Sequence, residues 1–334
     1  MAYTAGDTIL DDEYNTFATG NAAGTGDNGT ANLNTLWGTG TGDYGYGETG
    51  SVIAAVSAGA TITATQWETL VGRMETIAAH QNTSVTAVAT ITAGDTIDAI
   101  TTLSNDINTL WTSRMNAAAS GTAITTGGAS TRTAQWAGTG GPQTVNTTQQ
   151  VAFASTAAAK YFFNAGGLVK LTFSRSGGTS HDKNAEWTDQ CTKMGTIALS
   201  GSDSHSVAGQ AYTGTTQIGG GAGGSGSAKG TLDYYDMTTS YQQLIVKYAD
   251  TAPYTANYIK IEALANGANL DFKTTFQDDA ADTGNPDHIT EGDSQILDVV
   301  NGTLTATLTV VPPSATYLTG SPWGTPTIST TDAL

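Results

Sequence analysis

Two stretches of the chain place apolar residues at steps of three and four. In 64–81 these are Trp67, Leu70, Val71, Met74, Ile77 and Ala78, which mark one face of a helix, and Thr63 or Thr65 stands where a cap is needed. In 95–116 they are Ile97, Ile100, Leu103, Ile107, Leu110, Trp111 and Met115, with Ser, Asn, Asp and Thr opposite. The two stripes fit either an intrachain hairpin or helices shared among identical subunits, and spacing does not separate these. Asp11, Asp12 and Glu13 open a shorter helix that reaches Thr19, acidic residues being favoured at that end. Ala-Gly-Asp-Thr-Ile at 5–9 and 93–97, and Ala-Gly-Ala-Thr-Ile at 58–62, each precede a helical segment. They read as a recurring lead-in whose Asp or Thr meets free N–H groups, too unevenly spaced for a solenoid. Residues 20–50 are too rich in glycine to be regular.

The pattern changes after 143. Segments 145–153 and 168–173 carry strand-type residues, and 196–199 is a short strand. Between them, 155–164 predicts a helix capped by Ser155 and closed by Gly166-Gly167, and 184–194 a second with Trp187 and Cys191 four apart. Beyond the glycine run 219–226, alternation marks strands at 241–248, 258–264, 270–276 and 303–311. Asn266-Gly267 and Asn301-Gly302 read as hairpin turns, and Pro312-Pro313 stops the last strand. The fold class is therefore mixed α+β and mainly β, with short amphipathic helices first and an antiparallel β-sandwich last. The expected organisation is a helical, glycine-rich docking or oligomerisation region (1–120), a linker (121–142) and a small α+β module (143–218). A glycine-rich loop (219–230), a β-sandwich (231–313) and an extended arm (314–334) follow.

Charge narrows the function. Of 334 residues, 12 are Lys or Arg and 29 are Asp or Glu, a net charge of −17. Phosphate binding needs clustered cations, so nucleic acid is not an expected partner. With no apolar run of membrane length, no membrane span is expected. The opening Met1-Ala2-Tyr3-Thr4-Ala5-Gly6-Asp7 lacks a basic n-region and an apolar h-region, so a Sec-type signal is not expected. Only Cys191 is present, which excludes an internal disulfide and a Cys-rich zinc site. The 41 glycines, with abundant Thr, Ala, Ser and Asn, make a surface of short, uncharged side chains suited to close contact with other subunits.

No motif carries a catalytic, cofactor or metal assignment. Gly24/Gly26/Gly29, Gly40/Gly42/Gly45 and 219–224 match G-x-G-x-x-G, but none joins a buried strand to a helix, so they read as loops. Asp278, Asp279, Asp282, Asp287, Glu291 and Asp293 could ligate calcium, yet Ala281 and Thr290 fall where an EF-hand needs ligands; a solvated acidic loop is the plainer reading. His80, His181, His205 and His288 have no ligand spacing. Ser202-Asp203-Ser204-His205 holds triad residue types as neighbours, which a triad does not use. Cys191 reads as a buried small hydrophobe beside Trp187. Trp37, Tyr44 and Tyr46 suit sugar stacking or, preferably, anchoring of a loop to a neighbouring subunit. The sequons at 28–30 and 301–303 carry little weight without a secretory signal.

Three phrases resemble a known class. They are Tyr3-Thr4-Ala5-Gly6-Asp7-Thr8-Ile9-Leu10-Asp11-Asp12-Glu13-Tyr14-Asn15, then Leu36-Trp37-Gly38 with Gly42-Asp43-Tyr44-Gly45-Tyr46-Gly47, and the block 160–171 with Trp187 following. They resemble virion structural proteins of tailed bacteriophages, notably phages of aquatic bacteria, over 1–115 and 145–200. The resemblance implies a non-enzymatic neck, tail or fibre component of the virion, made in the host cytoplasm. Its partners would be identical subunits, as a homotrimer or ring, and other virion proteins. The alternative is an adhesin that binds a host receptor or a host-surface glycan, and after it a surface-layer or filament subunit. A capsule depolymerase would need paired carboxylates that no spacing selects.

Overall fold

A computed structural model describes residues 11–20, 31–38, 42–86, 100–118, 120–137, 143–202, 204–279 and 299–334. Helix α1 (Asp11–Thr19) opens on its three acidic residues and buries Tyr14, Phe17 and Ala18. Helix α2 (Leu33–Trp37) is a single turn inside the segment expected to be irregular. Asn32 starts it by accepting the N–H of Thr35 at 2.8 Å, and Leu33, Leu36 and Trp37 are buried. Helix α3 (Ala64–Gln81) has a reciprocal cap: Gln66 N–H donates to Thr63 Oγ1 at 3.3 Å, and Thr63 N–H donates to Gln66 Oε1 at 2.9 Å. Its stripe of Trp67, Leu70, Met74 and Ile77 is buried, as are Leu103, Ile107 and Leu110 of α4 (Ile100–Thr112). The four helices pack on one another, so the stripes close within one chain. Of the two arrangements that spacing left open, the intrachain one is present, with α1 and α2 completing it. The lead-in at 93–97 lies outside the described residues.

The strands are β1 (Ala129–Arg132), β2 (Thr144–Ala152), β3 (Leu168–Ser176), β4 (Thr196–Leu199), β5 (His205–Val207), β6 (Gln210–Tyr212) and β7 (Thr215–Ile218). After them come β8 (Ala228–Lys229), β9 (Gln242–Tyr248), β10 (Tyr258–Asn266), β11 (Asn269–Gln277), β12 (Thr303–Val311) and β13 (Thr327–Asp332). They pair antiparallel in a sheet of order β1-β12-β3-β4-β7, a sheet of order β13-β2-β11-β10-β9-β8, and the lone hairpin β5-β6. Alternation does what a one-sided sheet requires. Leu304, Ala306, Leu308 and Val310 of β12 join Val169, Leu171 and Phe173 of β3 in the core, facing Leu270, Phe272 and Phe276 of β11. The Phe173 and Phe276 rings meet edge to face at 5.8 Å across the two sheets.

Two further helices connect the layers. Helix α5 (Thr156–Asn164), capped by Ser155 through the N–H of Ala158 at 3.0 Å, carries the chain from β2 in one sheet to β3 in the other. Helix α6 (Asp182–Met194) packs against β3 on one side and against β9 and β10 on the other. Its Trp187 lies 4.6 Å from Trp136 and 6.3 Å from Phe276. Being enclosed, α6 must satisfy its own polar groups. Lys183 Nζ donates to Asp278 Oδ2 at 2.8 Å in a pair exposed by no more than 1%. Gln190 Nε2 donates to Lys247 O and Asn257 O at 3.0 and 3.2 Å, and Arg175 Nη1 to Asn184 O at 3.1 Å.

Four expectations change. The linker 121–142 contains β1, a ladder partner of β12, and Trp136, which is buried and bridged to Val300. The arm 314–334 contains β13, paired with β2, and buries Leu318 and Trp323. The segments 143–218 and 231–313 share both sheets, so the loop 219–230 does not divide two sheets. Asn301-Gly302 is no hairpin turn, because β12 has β1 and β3 as its neighbours. Asn301 instead accepts the N–H of Thr179 at 2.9 Å and Asn184 Nδ2 at 2.8 Å. In each case a distant ladder partner decides the conformation, and local composition does not record it.

Since Trp187 is fully buried between Trp136 and Phe276 of β11, Trp187→Ala should lower stability by about 3–5 kcal/mol. Urea denaturation followed by tryptophan fluorescence and far-UV circular dichroism should give one coincident transition. Two separate transitions would show that the sheets fold independently.

Candidate functional site

The glycine-rich segment 42–48 runs in the seam between the helical cluster and the β-body. Tyr46 is buried there; its hydroxyl accepts from Gln81 Nε2 at 2.7 Å and donates to Arg114 O at 3.0 Å. Asn164 Nδ2, from α5, donates to Gly45 O at 3.1 Å, and Tyr235 OH donates to Asn164 Oδ1 at 2.5 Å. Gly47 adopts φ +90°, and a Cβ there would stand 2.5 Å from Pro322 and 2.7 Å from the Tyr161 ring. Glu48 Oε2 accepts from Thr319 Oγ1 at 2.6 Å. Trp37 lies 4.0 Å from the Arg73 guanidinium, and Tyr44 packs 5.2 Å from Trp111. The aromatic residues anchor this segment to the chain's own helices, and Trp37 and Tyr46, being buried, have no free face for a sugar or for a neighbouring subunit.

Beside this seam opens a cleft of about 430 Å³ lined by Asp43, Arg114, Ser202, Ser204, Asp233 and Tyr235 among others. Arg114 Nη2 pairs with Asp43 Oδ2 at 2.5 Å, and its guanidinium lies 4.9 Å from the Trp111 ring. Asp233 Oδ1 accepts the N–H groups of Tyr235 and Asp236 at 2.6 and 3.2 Å, which fixes the wall. Carboxylates, a guanidinium and hydroxyls around one hollow can bind a hydroxyl-rich molecule by hydrogen bonds. Composition could not show this, because the lining comes from four distant parts of the chain.

The other candidates disperse among the described residues. His80 is buried in the seam, 4.8 Å from Tyr46, and burial lowers its pKa to about 4. His181 accepts the N–H of Asn184 at 3.3 Å as the cap of α6. His205 stacks on Tyr212 at 4.9 Å, and burial lowers it to about 4; Asp203, its neighbour in the triad-like run, and His288 lie outside the described residues. Cys191 is 2% exposed, and burial pushes its thiol up to about 12. The loop 219–224 joins β7 to β8, both strands, with Gly221 N–H donating to Lys193 O at 2.9 Å. Of the acidic run, Asp278 is the buried partner of Lys183 and Asp279 N–H donates to Asn257 Oδ1 at 2.8 Å. Asp282, Asp287, Glu291 and Asp293 lie outside the described residues, as does the 24–29 motif.

Because His80 stays neutral in the fold, the unfolded chain takes up its proton first as pH falls below the ordinary histidine value. Stability should therefore decline from pH 6.5 towards 4, by up to about 3 kcal/mol from this residue. His80→Phe, which keeps a ring against Tyr46, should flatten the profile in that window when urea midpoints are measured across pH. An unchanged slope would remove His80 as its source.

Comparison with family models, with curated proteins and with solved structures finds no match to this chain.

Proposed function

We propose that this chain is a non-enzymatic structural component of a phage particle, of the neck, tail or fibre type, that assembles with copies of itself. The observation that carries the proposal is the outward face of the first sheet. Thr303, Thr305 and Thr307 of β12 stand beside Thr172, Ser174 and Ser176 of β3 and Ala129 and Thr131 of β1. The β1 and β3 members are exposed, and Thr131 and Thr305 hydroxyls lie 3.4 Å apart. None of these side chains is charged. The far end of the face is covered by the β5-β6 hairpin, where Tyr212 packs on Leu168 and Ala198. With a net charge of −17 per chain, copies repel one another overall. Across this patch two copies could meet without opposing carboxylates, since each hydroxyl donates as well as accepts. The resemblance in 1–115 and 145–200 supports the virion as the setting.

A second reading, a host-surface glycan adhesin of the virion, is favoured by the Asp43, Arg114 and Asp233 cleft.

The native mass from light scattering should correspond to a trimer or ring. Thr305→Glu with Ser174→Glu should disperse it to monomers while changing the melting temperature little, both sites being on the solvent face. Gold-labelled antibody against the chain should decorate purified particles of a phage that encodes it. A monomer at every concentration, or label on host debris alone, would overturn the proposal. Under the second reading Arg114→Ala should abolish binding on a glycan array, whereas a wild-type chain that binds no glycan removes that reading.

A further inference from the structure

One oxygen from each of Glu186, Asp189 and Asp250 lies within 4.8 Å of the others. Glu186 and Asp189 project from the same side of α6, and Asp250 follows β9, so a helix and a loop converge on one spot. A calcium ion binds carboxylate oxygens at roughly 2.3–2.6 Å, so oxygens at such separations can share one ion.

Lys193, one helical turn beyond Asp189, lies in this cluster. Its Nζ is 2.6 Å from Asp189 Oδ2 and 2.7 Å from both oxygens of Asp250. The ammonium thus serves two of the three carboxylates. Glu186 is left out: the residue is only 5% exposed, and its Oε1 is buried with no hydrogen-bond donor. Burial, together with Asp189 and Asp250, raises its pKa, against the hydroxyl of Thr251 and the charge of Lys193. The other cation nearby, Lys247, is held by backbone, its Nζ donating to Lys193 O and Gly221 O. Three carboxylates thus share one ammonium, and the most buried of them has an oxygen with nothing to bind. Leaving such an oxygen unmatched is costly, and an ion that meets all three at once removes the cost.

We infer that Glu186, Asp189 and Asp250 form a calcium site in which Lys193 is the exchangeable internal cation. Calcium enters as the Lys193 side chain, 31% exposed, swings into water, and Thr251 Oγ1 stands beside Glu186 as a further oxygen ligand. Calcium fits better than magnesium, because a helix and a loop offer irregular geometry and magnesium demands an octahedron. The ion would pin the β9–β10 connection to the last turns of α6.

The test is titration of the full chain with calcium chloride by isothermal calorimetry, with melting temperatures measured alongside. The wild type should bind one ion per chain at this site and melt higher with calcium. Glu186→Gln should weaken that binding by at least about tenfold and yet melt without calcium no lower than the wild type, having lost an unmatched charge. Asp250→Asn, at the exposed side of the site, should weaken it too, and Lys193→Met should tighten it by at least about tenfold. A wild type that gives neither heat nor a melting shift in millimolar calcium would overturn the site. So would Glu186→Gln and Asp250→Asn chains that bind as the wild type does, which would assign the ion to other carboxylates. An unchanged affinity in Lys193→Met would overturn the exchange.

Discussion

The architecture depends on α6 being enclosed on two sides. A helix against one sheet can turn its whole polar stripe to water; α6, between β3 and the β9-β10 edge, keeps only a strip that includes Asp182, Ala185 and Thr192 for that and buries Lys183, Asn184, Glu186 and Gln190. The buried polar residues Lys183, Asn184 and Gln190 find partners inside the protein, and those partners tie the layers together. Lys183 reaches Asp278 at the end of β11, Asn184 is locked to Asn301 before β12, and Gln190 holds backbone of the second sheet. The Lys183–Asp278 pair is worth little as net stabilisation, since desolvating two charges offsets their attraction. Its weight is in specificity: either charge alone would be left buried and unmatched, so alternative placements of α6 are heavily penalised.

The seam around 42–48 extends the same logic to the helical cluster. Tyr46 links α3, through Gln81, to the backbone after α4, while Asn164 and Tyr235 fasten the neighbouring glycines to the β-body. Glu48 and Gly47 meet residues of 314–334. The helices are thus built into the molecule through hydrogen bonds and a close backbone approach. Force applied at the helical end therefore passes to the sheets without a flexible joint at this seam.

What was legible in the sequence is what short-range physics decides. The span of α3 was readable, and its cap was narrowed to Thr63 or Thr65, because the apolar period and the cap both lie within one segment; the fold uses Thr63. The strand at 303–311 was readable because Thr alternates with Leu, Ala and Val without interruption. The short strand 129–132, Ala-Ser-Thr-Arg, has no such signature and exists because Thr303–Val311 offers it a ladder. The turn at Leu33–Trp37 was hidden because its cap, Asn32, sits in glycine-rich coil. The acidic convergence was illegible for a similar reason. Glu186, Asp189 and Lys193 read as an ordinary charged helix face until the fold delivers Asp250 beside them.

The pairing of β2 with β13 also sets a clock. The hydroxyl of Thr147 donates to the carbonyl of Asp332, 185 positions later, at 2.8 Å. A ribosome adding about 5–20 residues each second leaves β2 without that neighbour for roughly 10–40 s. Until β13 arrives, one long edge of the second sheet is open, and an open edge invites pairing with any strand at hand. A chain cut short by premature termination keeps that edge permanently. Closure of this edge thus waits on the synthesis of β13, and a chain that lacks β13 remains chemically distinguishable from one that has it.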